Sequence, residues 1–170
     1  MTTIVARDPG NEGGWAMLAG PGALSPGEGR GCVCTYFVTE QVTVFSMANA
    51  NAIVKLAYDA GMATRDVVYD HAVALTPAEW RKELGVEPAN GQRSKREVDA
   101  DVRKVVQRLE PAVDFSVWHR VKDQGVWDAC AIALAWQSML LRTNDPAALV
   151  KHHQMPRQLG KLSGHRKRDE

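Results

Sequence analysis

The chain has 170 residues, 45% hydrophobic and 24% charged, with a formal net charge of +1. That composition suits one globular domain with a real hydrophobic core, and the near-zero charge does not by itself announce a nucleic-acid binder. No apolar run approaches the ~20 residues a bilayer span needs, and the N-terminus reaches Arg7 and Asp8 too soon for a signal peptide, so the expected compartment is the cytoplasm. Thr3 to Arg7 is a short β-branched and apolar run that stops at Asp8-Pro9-Gly10, which places Asp8 at the C-terminal edge of a first strand. Trp15 to Ala19 fits the second strand of a hairpin. Gly20 to Gly31, with five glycines and two prolines, reads as a loop. Cys32 to Gln41 reads as a buried strand with Glu40 near its end. Met47 to Val68 repeats apolar residues at helical spacing, with Gly61 as a weak point. Asp70-His71 then reads as a turn and Ala72 to Leu75 as a strand.

Thr76-Pro77-Ala78-Glu79 carries the signature of a helix start: a capping Thr, Pro in the first turn and Glu closing a capping box. That helix should run to Leu84 and stop at Gly85. Ser94 can cap a second helix reaching Leu109, with Val98, Val102, Val105, Val106 and Leu109 on its inner face. A final helix is expected from about Gln124 to Leu141. Beyond Asp145-Pro146 the chain turns polar and basic, and residues 151–170 are expected to form a flexible tail on a domain of residues 1–150. Early strands followed by alternating strand and helices point to an α/β fold, a mixed sheet with helices packed on it.

Charge is distributed unevenly. Residues 93–108 hold six Lys/Arg against three acids, and residues 151–170 hold six against two, with three histidines besides. Such patches can contact phosphates, or simply form a solvated surface and a tail. Cys32, Cys34 and Cys130 lack a second Cys/His pair at finger spacing, so they read as structural thiols in a reducing compartment.

Three acids sit where rigid elements could bring them together. Asp8 and Glu40 end two expected strands, and Asp128 lies near the start of the last helix in the run Asp128-Ala129-Cys130-Ala131-Ile132-Ala133. Small alanines would let that helix lie close to the sheet, and Asp123 could swing in as a fourth ligand. Converging carboxylates of this kind clamp divalent ions that promote phosphodiester cleavage, and Mg2+ prefers such oxygen ligands. Singly, each acid has an ordinary alternative: a turn former before Pro-Gly, a solvated strand end, a helix cap.

The ordered combination resembles the RuvC-type Holliday-junction resolvases of the RNase H-like superfamily, particularly their compact phage-like forms. The stretch Ile4 to Ala19 resembles that family's first hairpin. Thr39-Glu40-Gln41-Val42 with Phe45-Ser46-Met47-Ala48-Asn49-Ala50 resembles the segment of the second acid. Asp128 to Ala135 resembles the last helix. The resemblance spans about 130 residues. It implies an RNase H-like mixed sheet flanked by helices, and an endonuclease acting on four-way DNA junctions as a homodimer. Two Mg2+ ions, replaceable by Mn2+, would be held by Asp8, Glu40, Asp128 and Asp123. It further implies that Lys95 steadies the cleaved phosphate and that Phe45 probes base pairs, with Arg93, Arg96 and Lys122 as further DNA contacts. Other branched DNA or RNA–DNA hybrids as substrates, or junction binding without cleavage, remain alternatives. The chain departs from the family in two places. Only a Gly/Pro-rich loop stands where fuller members have another strand and helix, so the sheet is expected to be trimmed. Gly125 stands where many members carry an acid or His.

Overall fold

Pairing registers fix the sheet. The computed structural model describes residues 2–9, 13–41, 65–88 and 93–155. Strand β1 (Ile4–Asp8) turns back on β2 (Gly14–Leu18) in an antiparallel hairpin that opposes Ile4 to Leu18 and Asp8 to Gly14. A three-residue strand β3 (Leu24–Pro26) extends it antiparallel along β2. On the other side β4 (Val33–Glu40) runs parallel to β1, with Arg7 opposite Thr39, and β5 (Val68–Leu75) runs parallel to β4, with Glu40 opposite Leu75. The order is β3-β2-β1-β4-β5, a mixed five-stranded sheet. The helices are α1 (Pro77–Leu84), α2 (Lys95–Leu109), α3 (Gln124–Arg142) and α4 (Pro146–His153), with a 3-10 turn (Val121–Asp123) leading into α3.

The helix starts follow their sequence signals. Thr76 and Ser94 both close full capping boxes, with Glu79 and Glu97 returning the bond to the cap backbone, and Gly85 ends α1 in the left-handed conformation. Helix α3 is the centre of the molecule. Ala129 to Ala133 are fully buried, so this helix is apolar nearly all round, as expected for one enclosed by sheet and helices. It lies on β1 and β2 and is flanked by α1 and α2. The sheet face beneath it carries Ile4, Ala6, Val38, Val73 and Leu75. Val5, Cys34, Phe37 and Val67 form a second cluster, joined by Cys32. Cys34 and Cys32 therefore pack together, and burial pushes the Cys34 thiol up to about 11, which suits a structural role.

The structure corrects three expectations, and a fourth lies mostly outside the described residues. The Gly/Pro-rich stretch contains β3, so the sheet is not short of a strand; residues 27–32, which lead on to β4, hold turns and no helix. Asp70-His71 is strand rather than turn, because parallel pairing opposes His71 to Tyr36 and stacks their rings at 5.5 Å. The helix expected over Met47 to Val68 lies, with Phe45, largely outside the described residues; of its last two positions, Val67 is a buried core residue and Val68 opens β5. Residues 151–155, assigned to the tail from the sequence, are ordered. Asp145 caps α4, Leu149 and Val150 pack on the core, Gln154 bridges to Val73, and the Met155 amide donates to the Ala72 carbonyl.

Candidate active site

Asp8 and Glu40 end adjacent parallel strands. Because Arg7 opposes Thr39, the next residue on each strand falls at the same level, about 4.8 Å apart across the sheet. Side chains alternate along a strand, so Asp8 follows Ala6 and Glu40 follows Val38 onto the face covered by α3. The start of α3 comes down directly over this edge. A Cβ on Gly125 would stand 3.0 Å from the Gly14 amide nitrogen and 3.1 Å from Asp8 Oδ2, and one on Gly14 would fall 1.8 Å from the Gly125 carbonyl oxygen. This glycine-on-glycine contact brings the helix onto the hairpin and carries Asp128, one turn later, towards Asp8. A side chain at position 125 would press on the Gly14 backbone and the Asp8 carboxylate, which would have to give by a few tenths of an ångström.

Three acids thus converge, and the ionisation of Glu40 and Asp128 reflects it. Burial, then the charge of Asp8, pushes the Asp128 carboxyl up to about 7, against a hydrogen bond from Gln124; the charge of Asp99 raises it further and Arg81 opposes. Burial also raises Glu40. A hydrogen bond from Trp80 works the other way, the Asp128 charge adds to the rise, and Arg81 and Lys95 oppose it. Among the described residues neither Glu40 nor Asp128 belongs to a salt bridge.

Neutral donors hold both carboxylates. The indole Nε1 of Trp80, fully buried in α1, donates to Glu40 Oε2 at 2.8 Å. Gln124 Nε2 donates to Asp128 Oδ1 at 3.0 Å, and Gln124 Oε1 accepts from Arg103 Nε at 2.9 Å. A guanidinium can only donate, so Arg103 fixes which end of the amide faces Asp128. Arg103 is itself held over the Trp127 ring, its guanidinium carbon 5.6 Å from the ring centroid, and by the Arg120 carbonyl at 3.2 Å. These contacts set the relation of α2 to α3: Arg103 meets Gln124, and one turn back along α2 Asp99 faces one turn forward along α3, at Asp128. Lys95, a further turn back, is exposed and presents its charge to Glu40.

The other expected residues are placed differently. Arg120 occupies the Asp123 carboxylate with its backbone amide and guanidinium at 3.0–3.1 Å, which holds that acid well below the usual carboxylate range. Its charge is thus already compensated outside the acidic cluster. Arg93 is tied to Asp101 and Glu87, whereas Arg96 and Lys122 are exposed. Sequence reasoning missed Trp80, Arg81, Asp99, Arg103 and Gln124. Asp99 and Gln124 carried a usable signal, each four residues along a helix face from an expected site residue, Lys95 and Asp128.

The acidic cluster suits a divalent cation. Its donors are hard carboxylate oxygens, mutual repulsion raises two of them, and neutral donors orient two of them without cancelling charge. No family model matches the chain, and no curated protein matches it in sequence. Several solved structures are similar to it, two of them as follows. A Thermus thermophilus RuvC structure matches at 18% identity and a TM-score of 0.45, covering 82% of this chain and 96% of that one. T. thermophilus RuvC in complex with Holliday junction substrate matches at 17% identity and a TM-score of 0.49, covering 84% and 97%. The five-stranded sheet with its flanking helices is the mixed α/β architecture expected from the sequence.

Proposed function

We propose that the chain is a divalent-metal-dependent endonuclease that nicks branched DNA, with four-way junctions as the preferred substrate. The observation that carries this reading is the convergence of Asp8, Glu40 and Asp128 at one sheet edge, with Glu40 and Asp128 held by neutral donors. The substrate class comes from the sequence resemblance set out above, whose hairpin, second-acid and last-helix segments contain these acids.

Asp8, Glu40 and Asp128 would hold the metal, Mg2+ by preference for an all-oxygen set. Asp99 is the candidate fourth carboxylate in place of Asp123, because its charge acts on Asp128 while Asp123 is bound by Arg120. When bound, the cations polarise the scissile phosphate and lower the pKa of the attacking water. The chain's own groups do the rest. Trp80 and Gln124 fix one oxygen of Glu40 and of Asp128, which would leave the other for the cation. Lys95 and the half-buried Arg81, stacked 4.9 Å from the Trp80 ring centroid, supply positive charge facing the cleaved strand. Arg96 and Lys122 would meet the flanking backbone, and a symmetric junction would be served by a homodimer.

Cleavage of a synthetic four-way junction, a linear duplex and an RNA–DNA hybrid in Mg2+ tests the reading. Nicking confined to the junction, abolished by chelation and reduced at least about a hundredfold in Asp8→Asn and Asp128→Asn, is expected. Preferred cutting of the hybrid would move the chain to another nuclease class. Junction binding without cleavage by the wild type would make it a binding protein and end the nuclease assignment.

A further inference from the structure

A second group of metal-binding side chains lies away from the carboxylate cluster, where α4 meets α1. Glu79, His152 and His153 each offer a ligand atom, and these atoms all lie within 4.8 Å of one another. The elements that carry them are independent in sequence. Glu79 sits in the first turn of α1, and the two histidines end α4, which β5 holds in place through the Val73–Gln154 bridge.

The surroundings orient these groups as a metal's outer shell does. Glu79 Oε2 is occupied by the Thr76 amide at 2.7 Å and the Thr76 hydroxyl at 2.8 Å, so the carboxylate cannot rotate freely. Its other oxygen, Oε1, faces His153 Nδ1 at 3.9 Å, too long for a hydrogen bond. His153 is buried, packs edge-on against the fully buried Trp136 at 5.7 Å, and hydrogen-bonds the Ala74 backbone. A ligating histidine usually makes a backbone or carboxylate bond of this kind with its second nitrogen. His152 is exposed, and its ring stands perpendicular to that of His153 with centroids 4.7 Å apart.

We propose that Glu79, His152 and His153 form a binding site for a zinc-class transition ion, which fastens the end of α4 to α1. Two imidazoles and one carboxylate make a borderline donor set that favours Zn2+ over the hard, oxygen-seeking Mg2+. Donors in a tetrahedral zinc site stand about 3.4 Å apart, as bonds of 2.0–2.2 Å require. Closing the present separations to that value asks for a movement of about an ångström, and the exposed His152 side chain is the free one. Three protein ligands leave a fourth position for water. The cation would join two helices that otherwise share no backbone bond at this point, and would hold the chain where the basic segment from residue 156 begins. This site does not depend on the nuclease reading.

Titration of the tag-free, full-length chain with Zn2+ and with Co2+ tests the proposal. Calorimetry should show a Zn2+ site whose affinity falls more than about a hundredfold in His152→Ala, beyond the range of an outer-shell change. Glu79→Gln, which keeps the capping box, should weaken it likewise. Asp8→Asn should leave it intact, which separates it from the carboxylate cluster. Co2+ should give the intense visible absorption of a four-coordinate site, and Zn2+ at about a hundredfold excess over Kd should raise the thermal midpoint of the wild type by several degrees but not that of His152→Ala. Wild-type affinity in His152→Ala, or only the weak absorption of octahedral Co2+, overturns the proposal.

Discussion

Trp80 shows how a residue with no local signature for chemistry becomes part of the site. Its indole is completely buried, and its one polar atom is spent on Glu40 Oε2 at 2.8 Å. That donor favours the ionised carboxylate, while burial and the charge of Asp128 disfavour it. Trp80→Phe keeps most of the ring volume and removes the donor, so Glu40 should become harder to ionise and the activity profile should move to higher pH. The proposed cleavage should fall about 10–100-fold at neutral pH, the usual cost of losing an outer-shell partner, and the deficit should narrow as pH rises. A parallel loss at every pH would mean that the indole only packs. Gln124 plays the corresponding part for Asp128. Trp80 could not be picked out from the sequence, because it acts across forty residues on an acid held by a different element, whereas Gln124 lies one helical turn before its acid. Asp8, Glu40 and Asp128 were legible for the opposite reason: strand ends and a small-residue helix start are local features.

At the scale of elements, the approach of α3 to the β1–β2 hairpin decides the site. The contact is backbone to backbone, and Gly14 has no room for a side chain: a Cβ would lie 1.8 Å from the Gly125 carbonyl oxygen. Gly14→Ala should therefore lift the helix start, cost about 3 kcal/mol or more in urea denaturation, and draw Asp128 away from Asp8. Gly22→Ala is the control. A Cβ there meets nothing within 4 Å, and the only penalty is its left-handed backbone at φ +71, on the order of 1 kcal/mol. Equal losses in the two variants would show that the glycine contact does not set the helix position. The same element explains where the sequence misled. Patterning located α1, α2 and α3 through their caps and apolar faces. It missed β3 because Leu24–Pro26 borrows its order from pairing with β2, and it misread Asp70-His71 because parallel pairing with β4 overrode a turn-like dipeptide. The start of α4 was signalled by Asp145-Pro146, but the basic residues that end it and follow it hid a short helix whose only large apolar residues are Leu149 and Val150.

For the molecule as a whole, converging buried carboxylates are a liability without a compensating charge. The Asp128 carboxyl is held at about 7 by burial and by the charge of Asp8, against an ordinary value of 3.8. Below 3.8 the group is protonated in both the folded and unfolded chain and contributes no difference. Between 3.8 and 7 the folded state keeps a proton that the unfolded state has released, so stability falls as pH rises, and the penalty is complete above 7. Its size is on the order of 2–4 kcal/mol. Asp128→Asn carries no such charge. In the absence of divalent ions it should be more stable than the wild type at pH 8 by roughly that amount, with the advantage shrinking as pH falls towards 4. Added Mg2+ should stabilise the wild type at pH 8 by offsetting the same repulsion, and should do less for the variant. Urea denaturation of both proteins across this range, with and without Mg2+, measures each term separately. A stability difference that does not change with pH would place the Asp128 carboxylate in ordinary solvent and remove the electrostatic reason for a metal centre at this sheet edge.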